Sequence, residues 1–220
     1  MIKSLTVIEK MIAISIIFTM GLLVTRIIYT RELTYGFYIW NTILALVPLY
    51  LSNKIVKLKN IRWSTGFIAL LWLLFLPNAP YLITDIFHYK ERSPIPLWFD
   101  LIIVISAAWY GLIIFIVSIL QVETWLYTFK KYQWIKWWFS PISIGLCAYG
   151  VFIGRFHRFN SWDFAIKPHE IILNFLVQLR HPFRNCQVWF FTITFACFLY
   201  IFYYTINTFK TVVQTKSIQQ

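Results

Sequence analysis

Six long apolar blocks fix the solvent in which this chain folds. They cover approximately residues 5–29, 37–51, 63–82, 98–120, 137–153 and 188–209. A helix that crosses a bilayer needs about 20 predominantly apolar residues, with a working range of roughly 17–25. Only helices and closed barrels leave no backbone group unpaired in hydrocarbon, and continuous apolar runs without two-residue alternation select helices. The expected fold is therefore an all-α polytopic membrane bundle of about six spans, forming a single transmembrane domain over residues 1–220. Blocks two and five are short and predict little tilt. Composition agrees, because 60% of the residues are hydrophobic and only 13% are charged, about half the charged share of soluble domains.

The first block follows Lys3 and Lys10, as a signal peptide would, but it has no small-residue cleavage site and reads as an uncleaved span. The net charge of +12 does not point to nucleic acid. The basic residues are scattered between apolar blocks, and no nucleic-acid motif accompanies them. Juxtamembrane positive charge explains them better. With both termini cytoplasmic, the inner segments hold Lys3, Lys10, Lys54, Lys57, Lys59, Arg62, Lys130, Lys131, Lys136, Lys210 and Lys216, which is 11 of the 20 basic residues. Five of the remaining nine fall in the long connection between blocks five and six, so the short loops are strongly biased. Trp40, Trp63, Trp98, Trp134, Trp137, Trp138 and Trp189 stand at block edges, where indole rings anchor to the interface.

Under that topology the polar chemistry collects on one side. Asp85, Asp100 and Asp163 are all outer, as are His88, His157, His169 and His181. A central Asp costs about 2.5–3.5 kcal/mol to insert, so ionisable groups at span ends imply function or pairing. The first cluster is Pro77-Asn78-Ala79-Pro80-Tyr81, followed by Thr84-Asp85 and His88. Two prolines three apart remove amide donors and break the third span, and Asn78 between them can supply the donors and acceptors the backbone loses. Tyr81, Thr84, Asp85 and His88 are spaced to form one polar helical stripe. Asp100 lies in the first turn of the fourth span, where the helix dipole favours an acid.

The third cluster runs from Gly154-Arg155 through Arg158 to Asn160-Ser161-Trp162-Asp163. Arg155 and Arg158 at a helix end would present two guanidiniums to a carboxylate or phosphate. Asn160 followed by Asp163 also has the pattern of a helix N-cap with a reciprocal acid. Residues 171–179 are apolar apart from Asn174 and Gln178, too short to span, and predict a re-entrant or interfacial helix. Ala107 and Gly111, and Gly150 and Gly154, provide small-residue faces for close helix packing.

The first and third clusters, with Trp98 and Asp100 between them, resemble a family of bacterial multipass membrane proteins catalogued as domain of unknown function 1361. The likeness covers the chain from about residue 63 to 209. It implies bacterial inner-membrane placement and assigns no chemistry.

Three functional classes remain. In the first, Asp85, Asp100 and Asp163 pair with Arg155 and Arg158 in a structural or regulatory membrane protein that has a protein partner or forms a homo-oligomer. In the second, a membrane enzyme acts on a lipid or lipid-linked phosphate. Asp85, His88 and Asp100, with His157 or Asp163, would be acid/base groups or hold a divalent metal, while Asn78, Tyr81, Arg155, Arg158, Asn160 and Asp163 bind substrate. Asp-x-x-His alone is a weak metal signal. The third class is a small transporter or flippase with the broken span lining its path, although no internal repeat is visible. All three place membrane lipid around the protein.

Overall fold

The computed structural model describes residues 2–90, 92–135 and 137–218, with the side chains of all but 2–6, 165 and 210–218. Lys136 and the side chains of Lys3, Lys210 and Lys216, counted above among the inner charges, lie outside the described residues. Helices α1 (Ile2–Thr30), α2 (Phe37–Val56), α3 (Trp63–Phe75), α4 (Asn78–Thr84), α5 (Leu97–Leu126), α6 (Phe139–Phe156), α7 (Asp163–Ile166), α8 (Pro168–Arg180) and α9 (Cys186–Ile218) follow in order, and there is no strand among the described residues. Six stretches are long and apolar enough to cross a membrane: Val7–Thr30, Phe37–Val56, Trp63–His88, Leu97–Leu126, Phe139–Phe156 and Cys186–Phe209.

Helix α5 is the axis of the bundle. It packs against α1, α2, α4, α6 and α9, and 61% of its span is buried against 22% for those of α1 and α9. Its interior face carries Ile103, Ala107, Tyr110, Ile114 and Phe115, all fully buried. The opposite surface of the bundle is apolar too: Ile14, Ile17 and Phe18 on α1 and Phe190, Ile193 and Ile201 on α9 are exposed. In water such a surface would aggregate, whereas in lipid it is the expected exterior.

The second span is longer than its hydropathy indicates. It continues to Val56 because Ser52 and Asn53, polar enough to suggest an exit into water, are bonded within the bundle. Ser52 Oγ donates to Gln121 Oε1 at 2.6 Å, and Gln121 Nε2 donates to Asn53 Oδ1 at 2.9 Å. Similarly, Trp72 Nε1 donates to Ser118 Oγ at 2.7 Å, and Ser118 passes the bond to Pro48 O at 3.1 Å, joining α3, α5 and α2.

The third span breaks at Pro77 as expected, leaving α3, α4 and a 3₁₀ turn over Asp85–His88. The amide of Ala79 turns to Leu76 O at 3.3 Å, so Phe75 O loses its usual partner. Asn78 Nδ2 replaces it at 2.9 Å and also donates to Ser161 Oγ at 2.8 Å. The two small-residue faces both receive this broken span. A Cβ on Gly111 would stand 2.5 Å from Ala79 O, and one on Gly150 would stand 2.4 Å from Pro77 Cγ.

Helix α8 is amphipathic, with Ile172, Leu173, Leu176 and Leu179 exposed. Its polar side docks inward: Tyr149 Oη donates to Gln178 Oε1 at 2.8 Å, and Asn174 Nδ2 meets His157 Nδ1 at 3.3 Å. An apolar outer face with a bonded inner face fits a helix lying in the membrane interface.

Candidate functional site

Arg155, in the last turn of α6, gathers the polar stripe of the broken span around one guanidinium. Its Nη2 donates to Asp85 Oδ1 at 2.7 Å, and its Nε to Thr84 Oγ1 at 3.0 Å. Its Nη1 meets His88 Nε2 at 2.8 Å, and its Cζ stands 4.5 Å from the centre of the Tyr81 ring. All four residues of the stripe predicted at helical spacing therefore touch the same cation. Because a guanidinium only donates, His88 Nε2 accepts and the imidazole proton sits on Nδ1. Thr84 accepts from Arg155 while donating to Tyr81 O at 2.6 Å. The second carboxylate oxygen of Asp85 accepts from Asn41 Nδ2 at 3.2 Å.

The Asp85–Arg155 pair itself is nearly dry. The Asp85 side chain is 1% exposed and that of Arg155 9%. Burying both charges is costly, and their mutual bond, with the further bonds to Thr84, His88 and Asn41, offsets that cost only while both partners remain. His88 and Asp85 do share a helical face, but the group between them is already a cation. Among the described residues no group of three or more His, Cys, Asp or Glu side chains is arranged to hold a metal ion.

Asp100 does not join this cluster. It pairs with Arg26 of α1, through Nε at 2.7 Å and Nη2 at 3.2 Å, and both side chains are almost fully buried. The helix-dipole reading of Asp100 is thus incomplete, since a fixed counter-charge holds it. Arg158, just past the end of α6, takes φ 60°. Its side chain is exposed and forms no ion pair among the described residues. Asp163 reaches back to Asn160, accepting from its backbone N at 2.6 Å and its Nδ2 at 3.3 Å, so the reciprocal acid is present although α7 begins at Asp163 itself.

Beside the network is a cavity of about 400 Å³ between α2, α3, α4, α6 and α8. Leu70, Leu73, Leu74, Leu146, Ile153 and Phe175 make its walls, and Asn41, Asn78, Tyr81, Asn160 and Ser161 supply its polar groups. Two of these, Asn41 and Tyr81, also contact Asp85 or Arg155. The cavity and the ion pair therefore share a wall.

Asn41 and Arg26 were not singled out in the sequence. Arg26 carried a usable signal, since it lies inside the first apolar block rather than beyond it, and a charge so placed requires a partner. Asn41 gave no comparable sign.

The fold and its buried polar pairs define a polytopic, all-α membrane protein with an interfacial polar network on one rim. Residues 40–202 match the family described as Protein of unknown function (DUF1361), and the chain belongs to that family. No curated protein and no solved structure matches it.

Proposed function

We propose that this is a non-catalytic, lipid-binding membrane protein in which the Asp85–Arg155 pair locks the broken span to α6 and shapes the wall of a chain-binding cavity. The observation that carries the reading is that every nitrogen of the Arg155 guanidinium already has a partner. Its Nε, Nη1 and Nη2 are each engaged by Thr84, His88 and Asp85, so a substrate head group would have to displace bonds the fold already uses. The neighbouring cavity falls within the usual 300–1,000 Å³ of small-molecule sites and is mainly apolar, which suits an acyl or polyprenyl chain. Asn78, Asn160 and Ser161 would bond the polar end of such a molecule, and Tyr81 would flank it. The proposed setting is a bacterial cell membrane with both termini cytoplasmic and the network on the outer rim.

One observation favours the enzyme reading. His88 is exposed and touches the Arg155–Asp85 pair, which is a workable position for proton transfer at a lipid-linked phosphate. Asp100, held separately by Arg26, has no part in that version.

The test is lipid retention. The full chain, extracted in a mild detergent, should carry lipid identifiable by mass spectrometry, and Ile153→Trp should lower that amount at unchanged folded yield. Equal retention in Ile153→Trp would remove the cavity as the binding site. Turnover of a lipid-linked phosphate that disappears in His88→Ala, with folded yield intact, would favour the enzyme.

A further inference from the structure

Arg26 does more than neutralise Asp100. Its Nη1 is buried without a hydrogen-bond partner, and the same holds for Tyr35 Oη and Arg92 Nη1. Of five such atoms among the described residues, these three surround one ring. The Arg26 and Arg92 guanidiniums stand 4.9 Å and 5.2 Å from the centre of Tyr35. Arg26 is 1% exposed and Tyr35 fully buried, so water does not satisfy them from the surface. Arg92 stands close enough to draw the Tyr35 phenol downward in pKa, yet its geometry is not that of a hydrogen bond. Burial, with Asp100, pushes the phenol up more strongly and keeps it a donor at neutral pH.

Charge points the same way. Among the described residues, two guanidiniums, one buried at Arg26 and one half-buried at Arg92, face a single carboxylate, and positive charge held in such a position is ordinarily neutralised or paired. Buried, unpartnered donors grouped about one ring, with a net positive charge, are complementary to an oxyanion. Next to Arg26 is a cleft of about 200 Å³ between α1 and the segment before α5, walled by Thr25, Tyr29, Pro94, Ile95, Pro96 and Phe99. That cleft is almost wholly apolar, as the approach for the chain of an amphiphile would be.

We infer that Arg26, Tyr35 and Arg92 form a binding site for a phosphate-type oxyanion at the rim end of α1, carried on a lipid head group or free in solution. Arg26 Nη1, Arg92 Nη1 and Tyr35 Oη would donate to it, while Asp100 holds Arg26 in place from the other side. The site is separate from the cavity lined by Asn78 and Tyr81, so the lipid-retention reading there neither supports nor weakens it.

The experiment is a thermal-shift titration of the purified full chain in a neutral detergent, with inorganic phosphate in one arm and phosphatidylglycerol in another. Phosphatidylcholine serves as the zwitterionic control. Arg92→Gln and Tyr35→Phe leave the Arg26–Asp100 pair intact and are compared at matched folded yield. Saturable stabilisation by either anionic probe, weakened about tenfold in apparent affinity by Arg92→Gln and less by Tyr35→Phe, supports the site. A response to phosphate alone identifies a free anion, and a response to phosphatidylglycerol but not phosphate identifies a lipid head group. No stabilisation by either probe, equal stabilisation by phosphatidylcholine, or unchanged affinity in Arg92→Gln would overturn it. Should Arg92→Gln fold poorly, Arg92→Lys replaces it, and its point charge must also weaken binding by losing the planar fork.

Discussion

Two buried ion pairs lie on the same rim and are built differently. At Arg155 each guanidinium nitrogen has a partner, from Asp85, Thr84 and His88, and the Tyr81 ring covers its face. At Arg26, among the described residues, only Asp100 bonds the guanidinium, one nitrogen is left over, and a second arginine shares the same aromatic ring. A pair with several helpers tolerates the loss of one. A pair of two does not. The first has the construction of a joint and the second that of a receptor, and the distinction rests on where the spare donors are.

The largest expected effect tests that contrast directly. Removing one partner of a buried pair costs about 3–5 kcal/mol. Asp100→Ala should fall at the upper end, since it strands Arg26 beside Arg92, and Asp85→Ala at the lower end, since Arg155 keeps Thr84 and His88. Folded yield and melting temperature in detergent measure both, and equal losses would break the comparison. Exchanging the charges, with Asp85→Arg and Arg155→Asp together, should recover part of the single-variant loss if the pair is a joint.

A smaller effect is expected where α4 rests on its supports. Gly111→Ala forces a methyl group against Ala79 O, a backbone atom that cannot swing aside, and overpacking of this kind costs about 1–3 kcal/mol. Asn78→Ala should cost about 1–2 kcal/mol by stranding Phe75 O, and Asn78→Asp should not restore the donor. If both variants melt like the parent chain, the joint does not depend on the geometry of the break.

The smallest effect belongs to a third carboxylate near the opposite end of α5. Glu123 forms no ion pair among the described residues; it accepts from Tyr127 at 2.8 Å, Ser140 at 2.7 Å and Tyr203 at 2.5 Å. Burial, followed by the bond to Glu123, pushes the Tyr127 phenol up and keeps it a donor. Tyr203→Phe removes one donor of three and should lower stability by about 1 kcal/mol, read as a modest melting shift. A loss as large as that of Asp85→Ala would show that hydroxyls hold a half-buried acid as tightly as a guanidinium holds a buried one.

The spans were legible in the sequence because apolar length and lipid thickness are directly linked. The break at Pro77 and Pro80 was legible for a covalent reason, the missing amide hydrogens. The stripe from Tyr81 to His88 was readable from spacing, and the structure places Arg155 on all four of its members. The partner of Asp100 was not readable. Local sequence offers Asp100 a helix dipole, while its real counter-charge lies 74 residues earlier on another helix, and nothing in a single chain links two such positions. For Asp163 the sequence offered both an arginine pairing and the reciprocal bond to Asn160, and the structure takes the local bond. The end of α2 was misjudged because Ser52 and Asn53 look like residues leaving the membrane, whereas Gln121 satisfies both.

The separation of the joint's two charges along the chain has a consequence for biogenesis. Asp85 is synthesised 70 residues before Arg155, roughly 4–14 s earlier at ordinary elongation rates. For that interval the third span, already interrupted at Pro77, has to be accommodated at the translocation machinery with an acid whose permanent counter-ion does not yet exist. Final seating of α4 thus waits for the fifth span, and the order of insertion along the chain is not the order in which the bundle closes.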